Sequence, residues 1–339
     1  MSGDNTHDSS EKVNERTMFV VAGNYNRTRI SYSDFFTKHF EFMREKVNSV
    51  EKPSFLIFAG TNISFKPEYL VIPTISKSIN DAVIGRHENC PMCLLEDPFL
   101  SLRHLLVRVC ITKEGSPFVK VLDLNTPTAF DDETGKTVRG LTSDNILFFQ
   151  AGRYTFMMFY IEPGSSWGEN AGKVWNSMPE NRILDFTEMD EKGKPTEIKV
   201  NQRLKLVTES HSEVSRVTRI TGPSYVTRID LSDPRALGFL VVRSGVVDVS
   251  IPLSVKVLSS GILIGRYERC ELGLHKLPFT NNVSRVHALL LHDEMGLWCI
   301  DLASTNGTFV DGKKIITHLI KANALISISD EVDLRWIFS

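Results

Sequence analysis

Three short blocks in the last third of the chain concentrate side chains suited to binding: Gly265-Arg266, Ser284-Arg285-Val286-His287 and Ser304-Thr305-Asn306-Gly307. An arginine guanidinium is a planar fork of donors that can meet two acceptor oxygens at once. Ser284 and Thr305 offer short hydroxyls, Arg285 brings a second positive charge from the same loop, and an amide such as Asn306 donates and accepts together. Taken singly, Arg266 reads as a solvated surface arginine, Ser284 as a turn residue and the Ser-Thr-Asn-Gly run as a hairpin turn. Their joint occurrence in this order carries the binding reading.

Other groupings offer bond-breaking or metal chemistry, and each has a plainer account. Cys90-Pro91-Met92-Cys93, with His87 and His104 nearby, resembles a zinc or redox site. Cys90 has a counterpart in Cys270 and His104 one in His287, whereas Cys93 has none, so the cysteines are expected to be small buried apolar groups. There is no GxxxxGK[ST] phosphate loop, no GxSxG elbow and no HExxH helix. His211 and Ser212 stand without an organised acid, and Asp185, Glu188, Asp190 and Glu191 read as a solvated charge run. The expectation is a non-enzymatic chain with no metal and no cofactor.

The elements that must position the three blocks are strands. Short β-branched and aromatic runs (FLIFA, YLVIP, AVIG, LLVRVCI, FVKVLDL, ILFF, YTFMMFYI) alternate with Gly, Pro and Asn, as in an all-β sandwich. A polar stretch from Pro163 to about Pro234 interrupts them, with IKV and LKLV as possible strands. The β texture then resumes with FLVV, VVDVSI, ILIG, ALLL, LWCIDL and DLRWIF. The two regions repeat each other. AVIGRHENC recurs as LIGRYERC, Ser101-Leu102-Arg103-His104 as Ser284-Arg285-Val286-His287, and Asp123-Leu124 as Asp301-Leu302. Upstream, Phe35, Phe36, His39, Phe40 and Met43 fall at helical spacing between Ser33 and Val47. Asp34 or Ser33 is the expected cap of an amphipathic helix covering a neighbouring domain.

Gly-Arg, Ser-Arg-x-His and Ser-Thr-Asn-Gly-Thr, in that order and followed by a glycine turn at Asp311-Gly312, resemble the forkhead-associated (FHA) domain. The resemblance covers roughly residues 238–339, with a fainter version over 54–162. It implies a mainly β chain of two FHA-like sandwiches joined by a linker, whose loops gather at one end and bind a phosphothreonine-containing segment. A phosphate carries about −1.5 to −2 charge at neutral pH and three acceptor oxygens. In that reading Arg266, Ser284, Arg285 and Thr305 hold the phosphate, and Asn306 bonds the peptide main chain. Gly265, His287 and Gly307 support the loops.

The first copy keeps Gly85, Arg86, Ser101 and His104, so Arg86 and Ser101 form at most a weak second site. Leu102 replaces Arg285, and Arg103 beside it is expected to point to another face. The run Asn125-Thr126-Pro127-Thr128-Ala129-Phe130 lacks the asparagine–glycine pair and reads as one residue short. A degenerate module used for packing is therefore the expectation. The boundaries are a disordered start over 1–16, a helical segment over 17–53, a degenerate sandwich over 54–162, a linker over 163–237 and an FHA sandwich over 238–339.

The bulk numbers agree with an adaptor. With 39 Lys and Arg against 41 Asp and Glu, the net charge of −2 argues against a nucleic-acid partner. No apolar run approaches the roughly 18 residues of a membrane span. Met1 to Glu15 lacks the apolar core of a secretory signal, and five cysteines read as reduced thiols. A cytoplasmic location leaves the sequons at Asn26, Asn62, Asn282 and Asn306 idle. The partner implied is a phosphothreonine-containing protein, a Ser/Thr kinase or its substrate. The competing reading is a structural subunit that uses both sandwiches in phosphate-independent assembly.

Overall fold

The computed structural model describes residues 29–74, 79–112, 115–178, 183–189, 195–198, 236–245, 247–277, 280–329 and 332–339. The start over 1–16, Asn26, Asp190, Glu191, the LKLV run and His211 with Ser212 lie outside the described residues.

Each β region is a sandwich of two sheets, and the repeat extends to strand order. In the first, one sheet runs Glu68–Pro73, Ser54–Gly60, Tyr154–Ile161, Ile146–Ala151, Phe130–Asp131, Thr137–Val138. In the second, the equivalent sheet runs Val247–Ser254, Ala236–Ser244, Val332–Phe338, Leu325–Ile328, Thr308–Val310, Lys313–Ile315. The facing sheets also correspond. Gly140–Ser143, Pro117–Asp123, Leu105–Ile111, Asn80–Gly85 and Met92–Cys93 match Thr317–Leu319, Gly296–Asp301, Ala288–Asp293, Ile262–Gly265 and Leu272–Gly273. The first copy adds Ile183–Met189 and Pro195–Ile198 at its edge, which the expected linker supplies.

The helix forms as Tyr32–Asn48 and buries Phe35, Phe36, His39, Phe40, Met43 and Val47. Its cap is Ser31, not Ser33 or Asp34. The Ser31 hydroxyl accepts the Asp34 N–H, because it sits one turn ahead with extended backbone. The helix lies on the outer face of the first sandwich against Leu56, Phe58, Phe148, Met157 and Phe159. Trp167 and Trp175, from the start of the expected linker, close over Phe36 and Phe159.

The two sandwiches are docked sheet against sheet. Along Leu105–Ile111, alternate residues Leu105, Val107 and Val109 enter the module's own core. Their neighbours point the other way, where Leu106, Leu122 and Val83 share a cluster with Leu263, Leu289, Leu291, Trp298 and Ile300 of the second module. A fully buried Leu or Ile is worth roughly 1.5–3 kcal/mol, so this interface has the apolar content of a domain core. Within it, Arg108, 2% exposed, donates Nε and Nη2 to the two carboxylate oxygens of Asp81 at 2.9 and 2.9 Å. Its Nη1 reaches Asp293 of the other module at 2.9 Å, and Thr317 Oγ1 donates to Asp81 at 2.7 Å.

Candidate functional site

The first two loops are laced together by backbone. Arg266 follows the strand Ile262–Gly265, and its N–H donates to Ser284 O at 3.0 Å, while Tyr267 N donates to Arg285 O at 2.9 Å. Gly265 is required by this approach: a Cβ there would lie 2.3 Å from Arg285 O. His287, fully buried, ties the second loop to the third. Its Nδ1 accepts the Ser284 N–H at 3.0 Å and its Nε2 pairs with Gly307 O at 3.0 Å. Nδ1 as acceptor fixes the neutral tautomer with the proton on Nε2. Burial lowers the His287 pKa, which keeps the ring in that state.

The third loop is held by residues that the motif reading did not assign. Ser304 Oγ donates to Asp301 Oδ1 at 2.5 Å and accepts the Gly307 N–H at 2.9 Å, and Thr308 Oγ1 reaches the same carboxylate at 2.7 Å. The repeated Asp-Leu pair was the available signal for Asp301. Gly307 takes φ 89°, in the left-handed region that glycine tolerates. Ser284 Oγ accepts the Thr305 N–H at 3.0 Å and lies 3.5 Å from Thr305 Oγ1. Asn306 is exposed, with its Nδ2 on Asn282 O at 2.8 Å. Arg266 is exposed and has no ion-pair partner among the described residues. Backbone and hydroxyl bonds thus gather Arg266, Ser284, Thr305 and Asn306 at one end of the sandwich. Arg285 shares their loop but lines a cavity between the modules that neither Arg266 nor Ser284 lines.

Against this geometry, a family model described as the FHA domain matches residues 262–329. The C-terminal sandwich carries an FHA domain. The matched span begins at the strand before Arg266 and ends beyond the Asn306 loop, so it contains every residue of the site just described. No curated protein matches the chain by sequence. Among solved structures, the Slr1951 protein of Synechocystis sp. is 23% identical over 30% of this chain and 95% of its own, with a TM-score of 0.26. The CT664 FHA domain of Chlamydia trachomatis is 20% identical over 30% of this chain and 98% of its own, TM-score 0.26. Mycobacterium tuberculosis EmbR, solved with a low-affinity phosphopeptide, is 23% identical over 30% of this chain and 24% of its own, TM-score 0.25.

The first sandwich repeats the FHA strand order and the histidine brace: Ser101 N donates to His104 Nδ1 at 3.0 Å, and His104 Nε2 pairs with Ala129 O at 3.0 Å. Thr126 Oγ1 donates to Asp123 at 2.5 Å and accepts the Ala129 N–H at 3.1 Å, as Ser304 does in the other copy. These bonds place Thr126 on Ser304, Pro127 on Thr305, Thr128 on Asn306 and Ala129 on Gly307. The expectation of a shorter loop is therefore corrected: the loop is of equal length, and Phe130 occupies the place of Thr308. Pro127 has no N–H, so Ser101 Oγ, unlike Ser284 Oγ, accepts nothing from that position. Arg103 turns into the module interface, where Nε donates to Leu302 O at 2.5 Å and Nη2 to Ala303 O at 2.5 Å.

Cys90 and Cys270 are buried and their thiols are pushed up to about 11 and about 12 by burial. Their Sγ atoms donate to Leu102 O and Arg285 O. Among the described residues no group of three His, Cys, Asp or Glu converges as a metal site, and no helix is long and apolar enough to cross a membrane.

Proposed function

We propose that this protein is a non-enzymatic cytoplasmic adaptor whose C-terminal FHA module reads phosphothreonine in a partner, a Ser/Thr kinase or its substrate. The observation that carries the reading is an exposed Arg266, without an ion pair to any described residue, on a loop bonded through its backbone to Ser284, whose hydroxyl lies 3.5 Å from that of Thr305 on loops braced by His287. A rigid cradle of a cation and hydroxyls suits a dianion with three acceptor oxygens. Asn306 keeps its Oδ1 for the peptide main chain. A structural role is supported for the N-terminal module, whose outer faces are taken up by the helix and by the second sandwich.

Titration of a phosphothreonine peptide library against the full chain, with unphosphorylated controls, tests the proposal. Arg266→Ala is expected to cost roughly 2–5 kcal/mol of binding to the best peptide, with an unchanged melting curve because the arginine is exposed. Phosphothreonine is expected to bind several-fold more tightly than phosphoserine, since one buried methyl is worth about 0.8 kcal/mol and the β-branch restricts the rotamer. Unchanged affinity of the Arg266→Ala chain refutes the proposal. Equal curves for the two phosphoresidues leave only an electropositive patch.

A further inference from the structure

A cavity of about 440 Å³ lies between the two modules, and its wall carries Arg86, Ser101 and Arg103 from the first and Arg269 and Arg285 from the second. Glu268 is the one acidic residue on that wall. Arg86, Arg269 and Arg285 make no ion pair with any described residue; Arg86 spends Nε on Leu100 O, and Arg269 lies over the Tyr267 ring at 5.5 Å. Arg103 is the most telling. It is 5% exposed, its partners are the neutral carbonyls of Leu302 and Ala303, and its Nη1 has no partner among the described residues. Burial lowers its pKa; Cys90 and Asp301, neither of which makes an ion pair with it, raise it in part, and Arg285 lowers it further. A buried cation without a direct ion-pair partner is costly, and clustered like charges add to that cost. Ser101 contributes a hydroxyl with no hydrogen bond to a described residue, for want of an N–H on Pro127.

We infer that this cavity is a composite anion site for a phosphate monoester, built by both modules and separate from the cradle around Arg266. The dianion supplies the direct ion-pair partner that Arg103 lacks, Arg86 and Ser101 donate to it from one side, and Arg269 and Arg285 from the other. The volume falls in the range of small-molecule pockets, so the phosphate can enter with the group that carries it. Leu102 and Pro127, which look like decay when the first module is compared with the second, belong to the apolar part of the same wall, with Leu124, Leu263 and Val286. The first module's loops have thus exchanged an independent peptide site for a shared one.

The test uses the full chain carrying Arg266→Ala and Ser284→Ala, so that the C-terminal cradle is silent. Inorganic phosphate, followed by calorimetry and by phosphorus NMR, is expected to bind this chain at one site. Adding Arg269→Gln or Arg86→Gln is expected to weaken that binding at least tenfold with unchanged melting. Arg269 holds the interface through its carbonyl, which accepts from Asn125 Nδ2, so its side chain can be changed without loosening the modules. Parallel titrations with capped phosphothreonine and with adenosine monophosphate identify the carrier: tighter binding by either supports the site and assigns it to a phosphoprotein or to a small phosphorylated molecule. No phosphate binding in the silenced chain, or binding that neither substitution weakens, overturns the inference. Neither result bears on the Arg266 cradle, which its own titration tests.

Discussion

Arg108→Met removes the cation at the centre of the inter-module interface while keeping most of the stem's volume. Arg108 makes three charged hydrogen bonds of 2.9 Å, two to Asp81 and one to Asp293. Without it, the Asp81 carboxylate, 1% exposed at its side chain, keeps the Thr317 hydroxyl but no cation. Breaking a buried pair by deleting one partner costs about 3–5 kcal/mol, whereas exposed pairs are worth 1 kcal/mol or less. The near-complete burial of Arg108 and Asp81 puts this pair in the first class. Asp293 is partly exposed, so Asp293→Asn is expected to cost less, about 1.5–3 kcal/mol. Urea unfolding of the full chain followed by tryptophan fluorescence measures both. Trp298 is a local reporter, because its ring lies 5.3 Å from the Arg108 guanidinium and its Nε1 donates to Asp293. Arg108→Met combined with Asp81→Asn is expected to recover part of the loss, since the stranded charge is gone. A destabilisation below about 1 kcal/mol for Arg108→Met would refute the reasoning that this ion cluster is buried and couples the modules.

Gly265→Ala drives a Cβ to within 2.3 Å of Arg285 O; a loss of about 1–3 kcal/mol of stability and at least tenfold weaker phosphopeptide binding are expected in urea melts and peptide titration. Gly312→Ala is the contrast: φ is 75° there with nothing within 4 Å, so it should cost about 1–2 kcal/mol and leave peptide affinity unchanged. Stability should also fall as pH drops below about 6.5. Burial lowers the pKa values of His39 (to about 4), His104 and His287, so the unfolded chain binds more protons in that window. Urea midpoints between pH 7.5 and 4.5 read the slope, His39→Gln should flatten part of it, and an unchanged profile in that variant would refute the assignment to His39.

The sandwiches, their repetition and the three loop blocks were legible because strand texture and turn chemistry are local, and because FHA motifs sit on short stretches of chain. Docking was not legible. LLVRVCI reads as a continuous apolar strand whether its second face meets solvent, a helix or another module, and Arg108 inside it carries no mark of its two carboxylates. Arg103 was placed on another face by alternation, but its target lies in the other module and has no local signature. The loop register was missed for a different reason: the run from Asn125 to Phe130 reads as one residue short when side-chain types are matched between the copies. The hydrogen bonds of Thr126 and His104 instead follow backbone position and ignore side-chain type.

The contacts across the interface are reciprocal. Asn89 Nδ2 of the first copy donates to Ser304 O in the second, and Asn125 Nδ2 donates to Arg269 O. Asn89 and Arg269 are equivalent positions, and Asn125 is equivalent to Ala303, the neighbour of Ser304, so each copy lays its first loop on the other's third. That is the isologous arrangement of a two-fold dimer, here within one polypeptide. In a homodimer any substitution arises in both partners and must be tolerated twice. Fused in tandem, the halves can diverge separately, so one could take Leu102 and Pro127 while the other retained Arg285 and Thr305, on a scaffold that still closes with nearly the symmetry of a dimer.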